Sequence, residues 1–163
     1  MLNIRPAAEK DIEAIADIYN DAILNTTATF DTDPKTIEDR LIWFRNHGEM
    51  NPVIVATINE EVVGWASLSK WSDRSAYDTT AEVSVYVKEN FRDQGIGKRL
   101  LEVITIEGGN AGLHTIISRI TEGNEKSLHL HDILGYEHVG VFKEVGKKFN
   151  RYLDVHLLQK VFN

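Results

Sequence analysis

Cysteine is absent from all 163 residues. Its absence excludes disulfides, thiolate metal ligands and a thiol nucleophile, and it is compatible with a reducing compartment. Proline is nearly as scarce, with 3 residues. No apolar window approaches the length of a membrane span, and Met1-Leu2-Asn3-Ile4-Arg5-Pro6 leads into polar sequence without a signal core. The expectation is a cytoplasmic chain with no membrane partner. Positive charge is also in deficit, with 18 Lys and Arg against 25 Asp and Glu and a net charge of -7. The basic residues are scattered among acids and form no stripe, so no nucleic-acid partner is expected and any anionic ligand has to be held locally. Hydrophobic residues at 42% and charged residues at 26% are ordinary globular usage. The length suits one compact domain, residues 1–163, with one site.

The chain reads as alternating short elements. Residues 2–5 suggest a strand stopped by Pro6. Over residues 9–24, Ile12, Ile15, Ala16, Ile18, Tyr19 and Ile23 recur at helical spacing. Residues 25–33 have no period and read as a loop carrying Phe30. Pro34 suits the first turn of a second helix that Gly48 ends. Two β-branched runs, 53–58 and 62–68, flank Asn59-Glu60-Glu61 at hairpin spacing. Residues 81–87 then alternate, with Val83, Val85 and Val87 on one face and Glu82, Ser84 and Tyr86 on the other. A helix starts at Gly95 and is expected to close at Gly108, Gly109 and Gly112. Residues 115–120 form a strand, Asn124 opens a helix that Gly135 halts, and two strands broken near Gly146-Lys147 finish the chain. The order β-α-α-β-β-β-α-β-α-β-β predicts an α/β (α+β) fold, a mixed sheet with helices on both faces.

The segment richest in chemistry is Arg92-Asp93-Gln94-Gly95-Ile96-Gly97-Lys98. It follows a strand and opens a helix, where unpaired amides and the positive end of the helix dipole suit an anion and glycines allow close approach. The spacing fits neither the dinucleotide fingerprint nor the P-loop. Two glycines at a helix start also serve as ordinary turn glycines, so the residues alone leave both readings open.

At these residues the chain resembles the GNAT acetyltransferase superfamily, whose acetyl-CoA signature is Gln/Arg-x-x-Gly-x-Gly/Ala after the fourth strand; Arg92, Gly95 and Gly97 match it. The order of elements resembles that family over nearly the whole chain. The resemblance implies a three-layer, mostly antiparallel sheet and acetyl-CoA as co-substrate. It places the pyrophosphate on amides of Arg92, Asp93, Gln94, Gly95, Ile96 and Gly97, with pantetheine beside Val85, Tyr86 and Val87 like an added strand. Asn124 and Ser127 join the cofactor contacts; by itself Asn124 is an N-cap. Lys98 adds charge to phosphate or is a solvated first-turn lysine. Four further blocks are similar to phosphinothricin and methionine sulfoximine or sulfone acetyltransferases: residues 71–77, 80–87, 130–136 and 146–155.

Such an enzyme needs a base, because an α-ammonium loses its proton only at about pH 8 and has no lone pair before that. Glu82 matches the carboxylate assigned as base in the resembling enzymes; its plain reading is a strand carboxylate with an ion-pair partner. His131 occupies the slot where many superfamily members carry a tyrosine. Three roles stand open to it: proton donor to the leaving thiolate, orienting group, or helix histidine with satisfied nitrogens. Without cysteine, direct transfer in a ternary complex is favoured over an acyl-cysteine. Arg74, with a fork for an acceptor carboxylate, and Phe30 and Tyr77, as walls for the acceptor side chain, match positions near the substrate in the resembling subfamily; by themselves they read equally as a surface arginine and packing aromatics. Lys148 reaches a neighbouring subunit's site if the chain is a homodimer, as the resembling enzymes are. His129 and His131 point to different sides of a helix, so no metal is expected. The expected function is N-acetylation of a small amino-acid-like amine. The alternatives are a protein N-acetyltransferase and a non-catalytic acetyl-CoA-binding module.

Overall fold

A computed structural model describes residues 1–163. The elements are β1 (Leu2–Pro6), α1 (Ile12–Asn25), α2 (Ile37–Arg45), β2 (Val53–Ile58), β3 (Glu61–Lys70), β4 (Thr80–Val87), α3 (Ile96–Ala111), β5 (Thr115–Thr121), α4 (Glu125–Ile133), β6 (Glu137–Lys148) and β7 (Arg151–Val161). Their order is the one the sequence pattern predicts. They build one seven-stranded sheet, β1-β2-β3-β4-β5-β7-β6, in which only β4 and β5 run parallel.

Period-2 alternation divides the apolar side chains between two layers. On one face Ile12, Ile15, Ile18, Tyr19 and Ile23 of α1 pack on Val53, Val55 and Trp65. On the other, Ile96, Leu100, Leu101 and Ile104 of α3 pack on Ile54, Ala56, Ala66, Leu68 and Ile116. Leu100 is fully buried, so truncation to alanine there costs about 2–5 kcal/mol through lost transfer energy and a residual cavity. The α1–α2 layer also holds a buried arginine. The Arg40 guanidinium lies 3.7 Å from the Trp43 ring centre and 4.5 Å from that of Tyr19. Its Nε and Nη2 have no hydrogen-bond acceptor, and burial lowers its pKa to about 10.

Local chemistry sets three boundaries differently from the sequence pattern. The second helix starts at Ile37, not at Pro34, because Thr36 and Asp39 form a reciprocal capping box worth about 1 kcal/mol. Gly108 and Gly109 lie inside α3, which ends at Gly112 with φ +108. A Cβ on Gly108 would meet Leu68 at 2.6 Å, so that glycine lets the helix approach the sheet. The last hairpin turns at Phe149-Asn150, both in the left-handed region, and Gly146 continues β6 opposite Leu153. The first hairpin keeps its place but takes Glu61 into the strand: Asn59 (φ 49) and Glu60 (φ 68) make a two-residue turn whose twist matches the flanking strands.

A break in the sheet's central pairing positions the site. Pairing between β4 and β5 covers Thr80↔Thr115, Ala81↔Ile116 and Glu82↔Ile117 and then stops. Each strand stays paired on its outer side, β4 with β3 up to Val87 and β5 with β7 up to Thr121. The sheet therefore splits, and the inner edge of β4 from Val83 onward has no neighbouring strand.

Candidate active site

The split opens a cleft of about 630 Å³. Residues opposite one another in register share a face, and this sorts the lining. Arg119, Thr121, Val155 and Phe142 belong to the α1 face (Thr121↔Val155, Phe142↔Val155). Ser118 and Ile120 belong to the α3–α4 face, opposite Leu158 and His156. Hydrogen bonds agree: Thr121 donates to the Thr27 carbonyl in the loop after α1 at 2.7 Å, whereas Ser118 bonds His131 of α4 at 2.9 Å.

On the α1 face Arg119 grips Glu82 with two bonds, Nε to Oε2 at 2.5 Å and Nη2 to Oε1 at 2.7 Å. The pairing raises the Arg119 pKa above its ordinary value. The Arg119 guanidinium also lies 5.5 Å from the centre of the Trp71 ring. The neighbouring wall is the loop at residues 26–36, held from several sides. Tyr19 bonds Thr29 and donates to Asp31; burial and the Asp31 carboxylate push the Tyr19 hydroxyl up to about 12. Lys148, almost fully buried, donates to the Thr29 carbonyl at 2.7 Å, and burial lowers its pKa against the pull of Asp31. Phe30 is seated where Gly146 has no side chain; any Cβ there would overlap the ring.

The α4 face is quieter. His131 is 6% exposed, and burial lowers its pKa. Its Nδ1 lies 2.7 Å from the Ser127 carbonyl, which can only accept, so Nδ1 carries the proton. In the neutral ring Nε2 is then the acceptor, and Ser118 Oγ donates to it. Both ring nitrogens are engaged. Asn124 caps α4 through Ser127 N at 3.3 Å.

Past the end of β4 the backbone turns at Asp93 (φ 62) and Gly95 (φ 82) before α3 begins. The first bond into the helix is Arg99 N to Gly95 O, and the amides from Asp93 to Lys98 find no acceptor in the chain. A Cβ at Gly95 would meet nothing within 4 Å, so the surface in front of these amides is open. Successive free amides around left-handed residues at a helix start form an anion-binding concavity. An unpaired strand edge with amide and carbonyl groups leads to it. These two features fit a ligand with amide linkages ending in a pyrophosphate, which is the chemistry of coenzyme A.

Comparison with known proteins agrees. The Acetyltransferase (GNAT) domain profile matches residues 4–157. The chain belongs to the GNAT acetyltransferase family. It is 36% identical over 158 residues to a phosphinothricin N-acetyltransferase of Streptomyces coelicolor, covering 94% of this chain and 92% of that one. It is 37% identical to an L-methionine sulfoximine/L-methionine sulfone acetyltransferase of Pseudomonas aeruginosa, covering 96% and 92%. Among solved structures, a phosphinothricin acetyltransferase from Sinorhizobium meliloti in complex with AcCoA superposes with a TM-score of 0.95 at 30% identity, covering 99% and 89%. A ribosomal-protein-alanine N-acetyltransferase from Brucella melitensis also gives 0.95, at 38% identity, covering 98% and 99%. This GNAT chain is accordingly an acetyl-CoA-dependent N-acetyltransferase.

Among the residues singled out from the sequence, Phe30, Glu82, Val85, Tyr86, Asn124, Ser127 and His131 line the cleft together. Val87 ends β4, and its carbonyl accepts from Arg92 Nε at 3.1 Å. Arg92 also pairs with Asp21, which leaves its backbone rather than its guanidinium for a ligand. Lys98 is exposed on the first turn of α3. Arg74 and Tyr77 lie on an exposed turn between β3 and β4 and do not line the cleft; Lys148 stands behind the loop, not in front of it. Sequence reading missed Ser118, Arg119, Thr121, Asp31, Phe142 and Val145, all of which line the cleft. The alternation of β5 separates Ser118 from Arg119, but only the register across the split brings Arg119 to Glu82.

Proposed function

We propose that this acetyltransferase acylates the α-amino group of a small amino-acid-like acceptor of the methionine sulfone, methionine sulfoximine or phosphinothricin kind. The observation that carries this reading is the charged, walled α1 face: a Glu82–Arg119 pair under a loop anchored by Tyr19, Lys148 and Thr121. Acetyl-CoA supplies the acetyl thioester, seated along the open edge of β4 with its pyrophosphate on the amides of Asp93 to Lys98. The acceptor enters from the α1 face, so the two substrates meet through the split in the sheet and transfer is direct.

Glu82 takes the ammonium proton, leaving a free amine as nucleophile. The unpaired edge of β4 offers amides to the developing oxyanion. His131 orients: its protonated Nδ1 is fixed on Ser127 and its Nε2 draws the Ser118 hydroxyl, an arrangement suited to holding the cleft wall and poorly suited to donating a proton. A thiolate whose parent thiol has a pKa of about 8.5 leaves without a strong acid.

The active form is read as a homodimer of single-domain chains in the cytoplasm. One observation supports the dimer. Phe142, Val145, Phe149 and Tyr152 leave an apolar surface exposed along β6 and β7. No helix is long and apolar enough to cross a membrane.

The likeness to the Brucella melitensis enzyme favours a second reading, transfer to a protein N-terminus. One assay separates the two: acetyl-CoA-dependent CoA release against methionine sulfone, methionine sulfoximine, phosphinothricin, common amino acids, polyamines and short peptides. Turnover of the first group supports the proposal. Turnover of peptides alone replaces it with the second reading.

A further inference from the structure

Arg119 does more geometrically than hold Glu82. A guanidinium has five N–H groups on three nitrogens, and the edge formed by Nε and Nη2 is the one Glu82 occupies. The other edge, Nη1 with the second N–H of Nη2, makes no hydrogen bond within the chain. That edge is a complete second fork of the kind that binds a carboxylate with two parallel bonds. Arg119 lies in the cleft lining and its side chain remains 52% exposed, against 22% for Glu82, so an incoming ligand can reach it. The guanidinium also lies 5.5 Å from the centre of the Trp71 ring, a cation–π approach that restrains the side chain.

We infer that Arg119 is the receptor for the acceptor's α-carboxylate, and that the Glu82–Arg119 pair recognises an α-amino acid as a zwitterion. This rests on the amino-acid reading above and deepens it. The ammonium goes to Glu82, where it is to be deprotonated, and the carboxylate bonded to the same carbon goes to the free fork of Arg119. An ion pair presents anion then cation; an α-amino acid presents cation then anion. Charge order alone thus points the amine at the base. Arg74, the fork that sequence reading proposed for this task, is outside the cleft of its own chain.

The test compares kcat/KM for L-methionine sulfone and for its α-carboxamide, which keeps the amine and the side chain but loses the negative charge. The proteins are the wild type, Arg119→Met, Arg119→Lys and Arg74→Met, with acetyl-CoA binding measured on each. The expected wild-type preference for the acid is about 10- to 100-fold, the range of a hydrogen-bonded charged contact. Arg119→Met should reduce that preference to near unity with acetyl-CoA binding unchanged, Arg119→Lys should fall between, and Arg74→Met should keep it. An equal loss on acid and amide in Arg119→Met would overturn the inference, since the arginine would then only position Glu82. Abolition of the preference by Arg74→Met but not by Arg119→Met would overturn it as well. A wild type inactive on both compounds but active on peptides would remove the amino-acid reading itself.

Discussion

The two faces of the cleft are built on different principles. On the α4 side the buried polar groups are already satisfied: His131 bonds both Ser127 and Ser118, and the Asn124 side-chain oxygen caps its helix. On the α1 side the groups are charged, half-exposed and partly unused, above all the free edge of Arg119 beside Glu82. A satisfied network fixes shape, whereas an exposed ion pair in a cleft keeps donors and acceptors available for a ligand. In the proposed mechanism the reacting groups accordingly belong to the α1 face and the supporting wall to the α4 face.

Substitutions on either face sharpen that contrast. The largest effect belongs to Glu82→Gln, which keeps the shape and removes the base. In steady-state kinetics kcat should fall about 10²- to 10⁴-fold while calorimetry shows acetyl-CoA binding unchanged; retention of full activity near neutral pH would return proton removal to water. Gly146→Ala comes next. Its methyl would displace Phe30, at a cost of about 1–3 kcal/mol of stability for overpacking, and acceptor KM should rise with acetyl-CoA affinity unaltered. Gly95→Ala places a side chain at φ +82, a strain of about 1–2 kcal/mol. It should weaken acetyl-CoA binding, whereas Gly97→Ala, whose Cβ would meet only Val87 at 3.7 Å, should not.

The smallest effect is a pH dependence of stability from the quiet face. Burial holds His131 below its unfolded value of about 6.5. As pH falls through that value the unfolded chain binds the proton first, so the stability that neutral His131 contributes is present above it and is lost on acidification. His47, also lowered chiefly by burial, acts with the same sign. The melting temperature should therefore fall less between pH 8 and pH 5.5 in His131→Gln than in the wild type. An unchanged fall would show that the histidine is not buried neutral.

Much of this architecture is written in local pattern. The alternation of β4 and the turn at Asn59-Glu60 are decided by neighbouring residues, and the anion site at Gly95 and Gly97 is carried by a few consecutive positions. What was not legible depends on distant partners. Gly146 resembles a turn glycine until Phe30, far away in sequence, is found seated on it. Gly108 resembles a helix stop until α3 is seen against Leu68. Arg119 resembles a solvated strand arginine until the register Glu82↔Ile117 brings it within reach of Glu82. The α1 face of the cleft is assembled from the α1–α2 loop, β4, β5, β6 and β7, so no contiguous motif could announce it.

The central claim is that acetyl passes directly between two ligands meeting through the split in the sheet. Initial velocities measured at several fixed concentrations of acetyl-CoA while methionine sulfone is varied test it most directly. The account predicts intersecting double-reciprocal lines, the signature of a ternary complex. Parallel lines would contradict it and would turn attention to Ser118, whose hydroxyl already donates to His131 Nε2, as an acyl-carrying nucleophile.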